Sequence, residues 1–394
     1  MTIDLVSTLC DLVRIPSVNP MGRELQGEIY LEHRLTDYLD DLFQRLGVAR
    51  LRQTMLPNRE NIVARFDGAV PPEQGGPLLL LEAHQDTVPV DGMTIDPFGA
   101  TMRDGRVYGR GACDIKGGMA SMLWAFSRLV SEQPANAPTV IMACTVNEEQ
   151  SSDGAMKLAE LWSPPHRFFG KRPDMAIVAE PTQLMIVVAH KGVLRWRLRT
   201  HGRAAHSSNP GMGENAIFQM GHVLRGLETY ARDIVPSLGV DRWVGRPSLS
   251  VGIISGGISV NTVPDECHID VDRRLLPNES PVDAFHHALR YCEEQLDVTV
   301  THQRPYLEAF GLSDDTNGPL AEMLSQQARP FGGGEWTGVA FGTNAPPYAM
   351  SGVPTVVFGP GSIDQAHTCD EWVAVEELQA AGEILYRFLV DRDR

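Results

Sequence analysis

The stretch VIMACTVNEEQ, residues 140–150, joins a pattern typical of a buried strand to two adjacent acids. The run up to Val146 is mostly apolar, and Glu148 and Glu149 follow almost at once. A buried carboxylate is costly unless a hydrogen bond or a positive charge compensates it. The pair is therefore either a solvated strand end or the edge of a charged site, and the surrounding sequence has to distinguish the two.

Similar apolar runs recur along the chain and alternate with segments of helical periodicity. The runs are residues 77–84, 139–146, 174–180 and 355–359, and the helix candidates are residues 117–131, 153–162 and 376–390, with two more helices ending near Leu46. This alternation is typical of a mostly parallel sheet that helices cover on both faces. We therefore predict an α/β catalytic domain.

Residues 186–306 have a different pattern, in which polar and apolar residues alternate as in a half-exposed antiparallel sheet. Helical stretches at residues 214–232 and 281–296 lie among these strands. The order strand, helix, two strands, helix, strand predicts a ferredoxin-like α+β sandwich. Because the α/β pattern then returns, we predict a catalytic domain at residues 1–185 and 307–394, interrupted by this inserted domain.

Composition excludes several classes of function. A formal charge of −16 without a Lys/Arg cluster argues against nucleic-acid binding. No apolar run reaches the roughly 18 residues of a membrane span, and Asp4 stands where a secretory signal is positively charged. The six cysteines are scattered without a CxxC pair, which indicates reduced thiols and not a thiolate zinc site. We predict a soluble cytoplasmic protein that acts on a small molecule.

The exceptional polar residues lie where the apolar runs end. They are His84 and Asp86, Glu148 and Glu149, Glu180, His367, and Asp114 between the strand-like RVYG and a helix. Because ligands of an open α/β sheet bind beyond the carboxyl ends of its strands, we expect these side chains to meet at one rim. Each residue alone is also compatible with an ordinary structural role at a strand end.

Two histidines and three carboxylates without a cysteine are the ligand types of catalytic zinc or a related divalent ion. Since one catalytic ion needs only three protein ligands, five ligands with one bridging carboxylate fit two ions. The alternative is that GRGACDIKGG, residues 109–118, is a phosphate-binding loop of a nucleotide-binding protein. It contains neither GxGxxG nor GxxxxGK[ST], so the metal site is favoured.

The motifs together resemble the aminoacylase / acetylornithine deacetylase / succinyl-diaminopimelate desuccinylase family of two-zinc metallohydrolases. They are HQDTVP, GRGACDIKGG, NEE, AEPT, HGRAAHSSNPGMGENAI, SVNTVPD with DRRLLP, and GPGSIDQAHTCDE, in this order over nearly the whole chain. GPGSIDQAH is similar to the acetylornithine deacetylase branch, whereas GTNAPPY departs from the GTSDA-like segment of many members. The resemblance implies that the inserted domain is a lid through which such enzymes usually form homodimers.

The resemblance also implies roles for the residues at the rim. The implied ligands are His84 and Glu180 for one zinc, Glu149 and His367 for the other, and Asp114 bridging them, with Co²⁺ as a possible substitute. Glu148 is the expected general base, and on an extended chain it points away from Glu149. Asp86 is expected to accept a hydrogen bond from the His84 imidazole. The peptide bond after Asp114 is expected to be cis.

In the inserted domain the resemblance implies that His206 hydrogen-bonds the oxyanion, often from the partner subunit, and that Asn261 and Arg274 hold the substrate carboxylate. Arg273 is the alternative contact, and only one of the two arginines should point inward because neighbouring strand residues face opposite ways. Lys116 and the glycines after it are expected to be structural.

The predicted activity is hydrolysis of an N-acyl L-amino acid, with N-acetylornithine as the first candidate substrate. Desuccinylase, general aminoacylase and dipeptidase activities are the alternatives within the family. A metal-binding homologue without catalysis is a further alternative, but such a protein is expected to lack a ligand or the general base. Every candidate residue is present in this sequence.

Overall fold

The computed structural model describes residues 2–390. The chain divides into two compact units. The large unit comprises the described residues up to Val188, Asp314–Thr337 and the described residues from Thr343 onwards, and the inserted unit comprises Ala189–Ser313 and Gly338–Gly342. No helix within residues 2–390 combines the length and the apolar character that crossing a membrane requires.

Helices and short strands are distributed along the whole described chain. The helices are α1 (Leu5–Arg14), α2 (His33–Leu46), α3 (Lys116–Glu132), α4 (Asp153–Ala159), α5 (Ala216–Thr229), α6 (Pro281–Gln295), α7 (Gly318–Ala328), α8 (Ala345–Met350) and α9 (Val375–Val390). The strands up to residue 190 are β1 (Ala49–Leu56), β2 (Arg59–Phe66), β3 (Leu78–His84), β4 (Thr101–Arg103), β5 (Arg106–Tyr108), β6 (Thr139–Thr145), β7 (Met175–Val178) and β8 (Ile186–His190). The later strands are β9 (Gly192–His201), β10 (Ala205–His206), β11 (Ser248–Gly256), β12 (Thr262–Val263), β13 (Glu266–Leu275), β14 (Val300–His302), β15 (Leu307–Ala309), β16 (Trp336–Val339), β17 (Thr355–Val357) and β18 (Trp372–Ala374).

The large unit is built on an eight-stranded sheet of order β1-β2-β6-β3-β7-β17-β8-β16. Its centre is parallel, since β3 pairs in parallel with β6 and β7, and β17 pairs in parallel with β7. Every residue of β3 and β6 is buried, as expected for strands covered on both faces. The predicted α/β fold is confirmed, but the antiparallel strands β1 and β2 were missed.

The predicted helices form at positions where local signals favour them. Asp4 caps the start of α1 by accepting a hydrogen bond from the Ser7 backbone N–H. Gly47 ends α2 in the left-handed conformation, with φ of 71°, which glycine adopts at little cost. The amphipathic face of α1 then buries Leu9 and Leu12 completely. These caps explain why the predicted helix ends lie close to the observed ones.

The inserted unit contains an antiparallel sheet of order β11-β13-β9-β14, with β15 also paired to β9. Alternate residues of β9 and β13, such as Trp196 and Ile269, are buried in one core with residues of α5 and α6. This arrangement agrees with the ferredoxin-like pattern. The sequence places the end of this domain at residue 306, but β15 continues its sheet and the unit extends to Ser313.

Candidate functional site

Three neighbouring parallel strands of the large sheet bring predicted site residues to one edge. His84 is the last residue of β3, Glu180 follows β7, and Glu148 and Glu149 follow β6. Because β6, β3 and β7 are adjacent and parallel, their carboxyl ends lie side by side. This part of the site therefore follows directly from the rule for open α/β sheets.

Asp114 and His367 also lie at this site, but neither ends or closely follows a strand of the eight-stranded sheet in the way that His84, Glu149 and Glu180 do. The strand before Asp114, β5, belongs to a separate three-stranded sheet with β4 and β18. The sequence leaves open which sheet the strand-like RVYG joins, since periodicity in so short a segment does not reveal it. Both residues lie in loops, and the peptide bond between Asp114 and Ile115 is cis as expected.

The residues assigned as ligands lie in two groups that share one member. His84, Asp114 and Glu180 form one group, and Asp114, Glu149 and His367 form the other, with ligand atoms within 4.8 Å of one another in each. Asp114 Oδ1 lies 3.3 Å from His84 Nε2, and its Oδ2 lies 3.2 Å from His367 Nε2. Asp114 thus directs one carboxylate oxygen at the histidine of each group.

The tautomer of His84 follows from its second ring nitrogen. Nδ1 lies 2.9 Å from the backbone carbonyl oxygen of Asp86. Because a carbonyl oxygen can only accept, Nδ1 carries a hydrogen, and Nε2 is the ring nitrogen that is directed at Asp114 and available to a metal ion. The prediction that the Asp86 carboxylate accepts this bond is wrong, since its Oδ1 lies 3.7 Å from Nδ1.

The Asp86 carboxylate instead anchors the turn that carries the two glutamates. Its Oδ1 accepts from the Glu148 backbone N–H at 3.0 Å, and its Oδ2 accepts from the Glu149 N–H at 3.1 Å. Asn19 Nδ2 donates a third bond to Oδ2 at 2.8 Å. Asp86 is fully buried, so these donors replace the water that it loses.

Glu148 and Glu149 lie in this turn and not on an extended strand, so the alternation argument for their directions is wrong. Their carboxylates nevertheless face different groups. Glu148 Oε2 lies 4.0 Å from His84 Nε2, whereas Glu149 Oε2 lies 3.3 Å from His367 Nε2. Glu148 belongs to neither candidate ligand group and remains available for another role.

Sequence reasoning missed the polar network that supports this turn. Asn19 Nδ2 also donates to Asn147 Oδ1 at 3.0 Å, and the Asn147 backbone N–H donates to Glu32 Oε1 at 3.3 Å. Glu32 is buried and accepts from Arg59 Nε at 2.9 Å. No local motif reveals this network, because its members are far apart in sequence and meet only in the folded chain.

The electrostatics of the cluster favour positive charge. Burial, followed by the charge of Asp114, raises the pKa of Glu149 to about 7. Burial and the neighbouring carboxylates likewise raise the pKa of Glu180 well above its ordinary value. Hydrogen bonds to Asp114 and Glu149 raise the pKa of His367 to about 10. Several carboxylates thus repel one another, and a nearby cation relieves that repulsion.

The donor set fits a pair of divalent ions. Its ligand atoms are imidazole nitrogens and carboxylate oxygens, which suit zinc and related ions. Glu149 Oε1 is buried and has no hydrogen-bond partner among the described residues. Asp114 offers one oxygen to each histidine, as a bridging carboxylate requires.

His206 and Asn261 occur together in a short ribbon of the inserted unit. Strand β10 pairs with β12, and the Ser207 backbone N–H donates to the Asn261 carbonyl oxygen at 3.0 Å. His206 is exposed, and its Nδ1 lies 2.8 Å from the Ser208 hydroxyl oxygen. The two residues are therefore near each other, and both are exposed.

Arg273 and Arg274 lie on opposite faces of β13, as predicted. Arg273 is fully buried, donates to the Tyr230 hydroxyl at 3.1 Å and forms an ion pair with Glu279. Arg274 is partly exposed, and its Nε donates to Asp272 Oδ1 at 2.9 Å. Arg274 therefore has the accessible guanidinium group of the two.

Known proteins match the chain over most of its length. Residues 80–391 match the family described as Peptidase family M20/M25/M40. Acetylornithine deacetylase of Myxococcus xanthus is 31% identical over 367 residues, covering 90% of each chain. The M20 family metallo-carboxypeptidase Sso-CP2 of Sulfolobus solfataricus superposes with a TM-score of 0.75 at 19% identity, covering 98% of both chains. Human carnosine dipeptidase 1 gives a TM-score of 0.75 at 18% identity, covering 98% of this chain and 95% of its own. At these identities the two structures show the fold alone.

Proposed function

The chain belongs to peptidase family M20/M25/M40 and is a metallohydrolase, and from this premise we propose that it removes the acyl group from an N-acyl L-amino acid. The first candidate substrate is N-acetylornithine, which the 31% identical acetylornithine deacetylase supports. The observation that carries the proposal is the meeting of two ligand groups at Asp114. Succinylated amino acids and dipeptides contain the same type of bond and are the competing substrates.

The two groups would each hold one zinc ion. His84, Glu180 and one Asp114 oxygen would hold the first, and Glu149, His367 and the other Asp114 oxygen the second. When bound, the ions supply Lewis acidity that polarises the scissile carbonyl and lowers the pKa of a water molecule. Cobalt accepts the same donors and is the expected substitute.

Glu148 is the proposed proton carrier. Its backbone is fixed by Asp86 and its carboxylate lies beside His84 without belonging to either ligand group. Burial raises the pKa of Glu148 well above its ordinary value, although the charge of His84 opposes the shift. A raised pKa suits a carboxylate that takes a proton from the attacking water and then gives it to the leaving amine.

The inserted unit supplies the proposed substrate contacts. The guanidinium fork of Arg274 suits a carboxylate, which it can bind with two parallel hydrogen bonds. Asn261 lies in the ribbon with His206, whose imidazole is the proposed donor to the developing oxyanion. The exposure of His206 and Arg274 supports these roles, since both side chains are available to a ligand.

We propose a homodimer that forms through the inserted unit. Strand β11 is an edge strand, and its Ile253 and Ile254 are 56% and 54% exposed. Phe218 at the start of α5 is 73% exposed. An exposed apolar edge strand is a template for pairing with another chain. Light scattering should give a dimer mass for the natural chain and a smaller mass for Ile254→Lys, whereas a monomeric natural chain would contradict the proposal.

The proposed cellular setting is the cytoplasm. The six cysteines are free thiols, and all except Cys369 are buried. Thiols of this kind persist in reducing compartments, where disulfides are rare. Titration of the unfolded protein, purified without reductant from the cytoplasm, should find all six thiols.

Kinetics on a small substrate panel test the function. The purified chain is dialysed against a chelator, its metal content is measured, and zinc is restored in steps. We expect two zinc ions per chain and the highest kcat/KM with N-acetylornithine, compared with N-succinyl-diaminopimelate, N-acetylmethionine and a dipeptide. A higher kcat/KM for the dipeptide would identify a dipeptidase, and zinc binding without hydrolysis of any substrate would exclude the proposed activity.

A further inference from the structure

A single buried carboxylate holds the loop that ends in Asp114. Glu371 is fully buried, and each of its oxygens accepts two hydrogen bonds. Oε1 accepts from the backbone N–H groups of Cys113 at 2.9 Å and Asp114 at 3.0 Å. Oε2 accepts from the Gly111 N–H at 3.1 Å and from Arg110 Nη1 at 2.7 Å. The carboxylate therefore determines the course of the loop residue by residue.

The loop has the shape needed to aim its N–H groups at one point. Gly111 has a φ of 83°, in the left-handed region that glycine adopts at little cost. A Cβ atom at this position would lie 2.8 Å from Thr87 Cγ2, so the neighbouring segment also requires glycine here. The result is a concave row of backbone donors, an arrangement that binds anions. The anion that occupies it is the side chain of Glu371.

Glu371 also joins the two loops that supply candidate ligands. It lies in the same segment as His367 and directly precedes β18. Its carbonyl oxygen accepts from the Gly109 N–H at 3.0 Å, and Trp372 pairs with Tyr108 in the small sheet. The segment that carries His367 and the segment that carries Asp114 are thus fastened together at Glu371.

We propose that Glu371 is a positioning residue that holds the Asp114 carboxylate between His84 and His367. The proposal rests on the metal centre proposed above. Glu371 belongs to neither ligand group and accepts a hydrogen bond from the Asp114 backbone N–H, so it would act through the backbone of Asp114. Because Asp114 belongs to both ligand groups, a displacement of its backbone weakens both at once.

An ionised carboxylate suits this position better than any other side chain. It is an acceptor at both oxygens, whereas an amide presents two donors at one end. In Glu371→Gln, one pair of N–H donors would face an NH₂ group and lose its acceptor. The loop would have to shift to satisfy these donors elsewhere. Changes in groups that orient metal ligands typically reduce metal affinity about 10- to 100-fold.

The experiment measures metal affinity, with activity as a second readout. Metal-free natural protein and Glu371→Gln are titrated with Co²⁺, and binding is followed by the visible spectrum of the ion. We expect the apparent dissociation constant to rise about 10- to 100-fold in the variant. At saturating Co²⁺ the KM for substrate should be unchanged, because the substrate contacts are intact. The melting temperature of both metal-free proteins is recorded.

A matched control separates positioning from general stability. Asp270 of the inserted unit is a nearly buried carboxylate that accepts two bonds of 2.7 Å from Arg197. Asp270→Asn makes the same acid-to-amide change and should lower the melting temperature without altering Co²⁺ affinity. Co²⁺ affinity of Glu371→Gln within twofold of the natural protein would overturn the proposal.

A second variant covers the case in which Glu371→Gln does not fold. Glu371→Asp keeps the charge but is one methylene shorter, so it cannot reach both pairs of donors without moving the loop. We expect a smaller but measurable loss of Co²⁺ affinity, and natural affinity in this variant would equally overturn the proposal. If the natural protein itself binds no Co²⁺, the proposed metal centre fails, and this outcome differs from a failure of the Glu371 assignment.

Discussion

The candidate residues of the large unit and those of the inserted unit differ in burial and in the contacts that position them. His84, Asp114 and Glu180 are 2%, 7% and 4% exposed and belong to a group whose ligand atoms lie within 4.8 Å of one another. His206 and Arg274 are accessible, and the side chain of each is hydrogen-bonded to a residue two positions away in sequence. The first set is organised by the folded chain itself. The second set is accessible to a substrate or another chain, which agrees with the roles proposed for it.

This difference predicts two kinds of experimental signature. Substitutions in the large unit should change how much metal the protein holds, except where the residue moves protons and does not coordinate. Substitutions of His206 or Arg274 in the inserted unit should change kcat or KM while the metal content stays the same. The following predictions test this separation, beginning with the largest expected effect on catalysis.

The largest expected effect is at the two adjacent glutamates. Glu148→Gln keeps the shape of the side chain but cannot accept a proton, so kcat should fall by about 10² to 10⁴. Both metal ions should remain, because Glu148 belongs to neither ligand group. Glu149→Ala is the matched control, since it removes a candidate ligand and should lose zinc together with activity.

Metal analysis and steady-state kinetics on both variants decide this prediction. Loss of zinc in Glu148→Gln together with its retention in Glu149→Ala would show that the two roles are reversed. A nearly normal kcat in Glu148→Gln would show that this residue carries no proton. In that case the proposed difference between Glu149, which would coordinate zinc, and Glu148, which would transfer the proton, would be wrong.

The next effect is expected at His206. If its imidazole donates to the oxyanion, His206→Ala should reduce kcat by about 10² to 10³ and leave the zinc content and KM nearly unchanged. His201→Ala is a suitable control, because His201 is also an exposed histidine at the last residue of a strand in the same unit. Equal kinetics for the two variants would remove His206 from the mechanism.

Much of the fold was predictable because its signals are local. The buried strands β3 and β6 are continuous apolar runs, and helices such as α2 and α6 have caps and an amphipathic period. The strand β1 was missed because none of its residues is buried and half of them are polar, so it contains no continuous apolar run. The domain end at residue 306 was placed too early, since the pairing of β15 with β9 is a long-range contact without a local signature.

The site was predictable at the level of residue types and motifs but not at the level of hydrogen bonds. That Asp86 binds two backbone N–H groups and not the His84 imidazole depends on a turn whose geometry the sequence does not specify. Glu371 stands in the quoted motif GPGSIDQAHTCDE, so a buried acid near His367 could have been suspected. Its donors, however, lie about 260 positions away, as the bond to Gly111 illustrates.

A moderate effect is expected at Arg274. Arg274→Lys keeps the charge but loses the bidentate fork, so kcat/KM should fall about 10-fold or more while zinc content stays constant. Arg195→Lys is the matched control, because Arg195 Nε donates to the other oxygen of the same Asp272 carboxylate, at 2.6 Å. If both variants have the kcat/KM of the natural protein, Arg274 does not bind the substrate carboxylate.

The smallest effect on catalysis is expected at Arg273, the direct neighbour of Arg274. Its Nη1 donates to the Tyr230 hydroxyl and to the Ala284 carbonyl oxygen while Nη2 pairs with Glu279, so a lysine would have to serve all three acceptors from a single nitrogen. A buried acceptor left without a donor costs about 1 to 3 kcal/mol, so urea should unfold Arg273→Lys at a lower concentration. Its kcat/KM and zinc content should match those of the natural protein, whereas Arg274→Lys should lower kcat/KM without this loss of stability and also keep its zinc. A larger loss of kcat/KM in Arg273→Lys than in Arg274→Lys would assign the substrate contact to the buried arginine. It would contradict the view that, of these two neighbours in β13, Arg273 stabilises the fold and Arg274 binds the ligand.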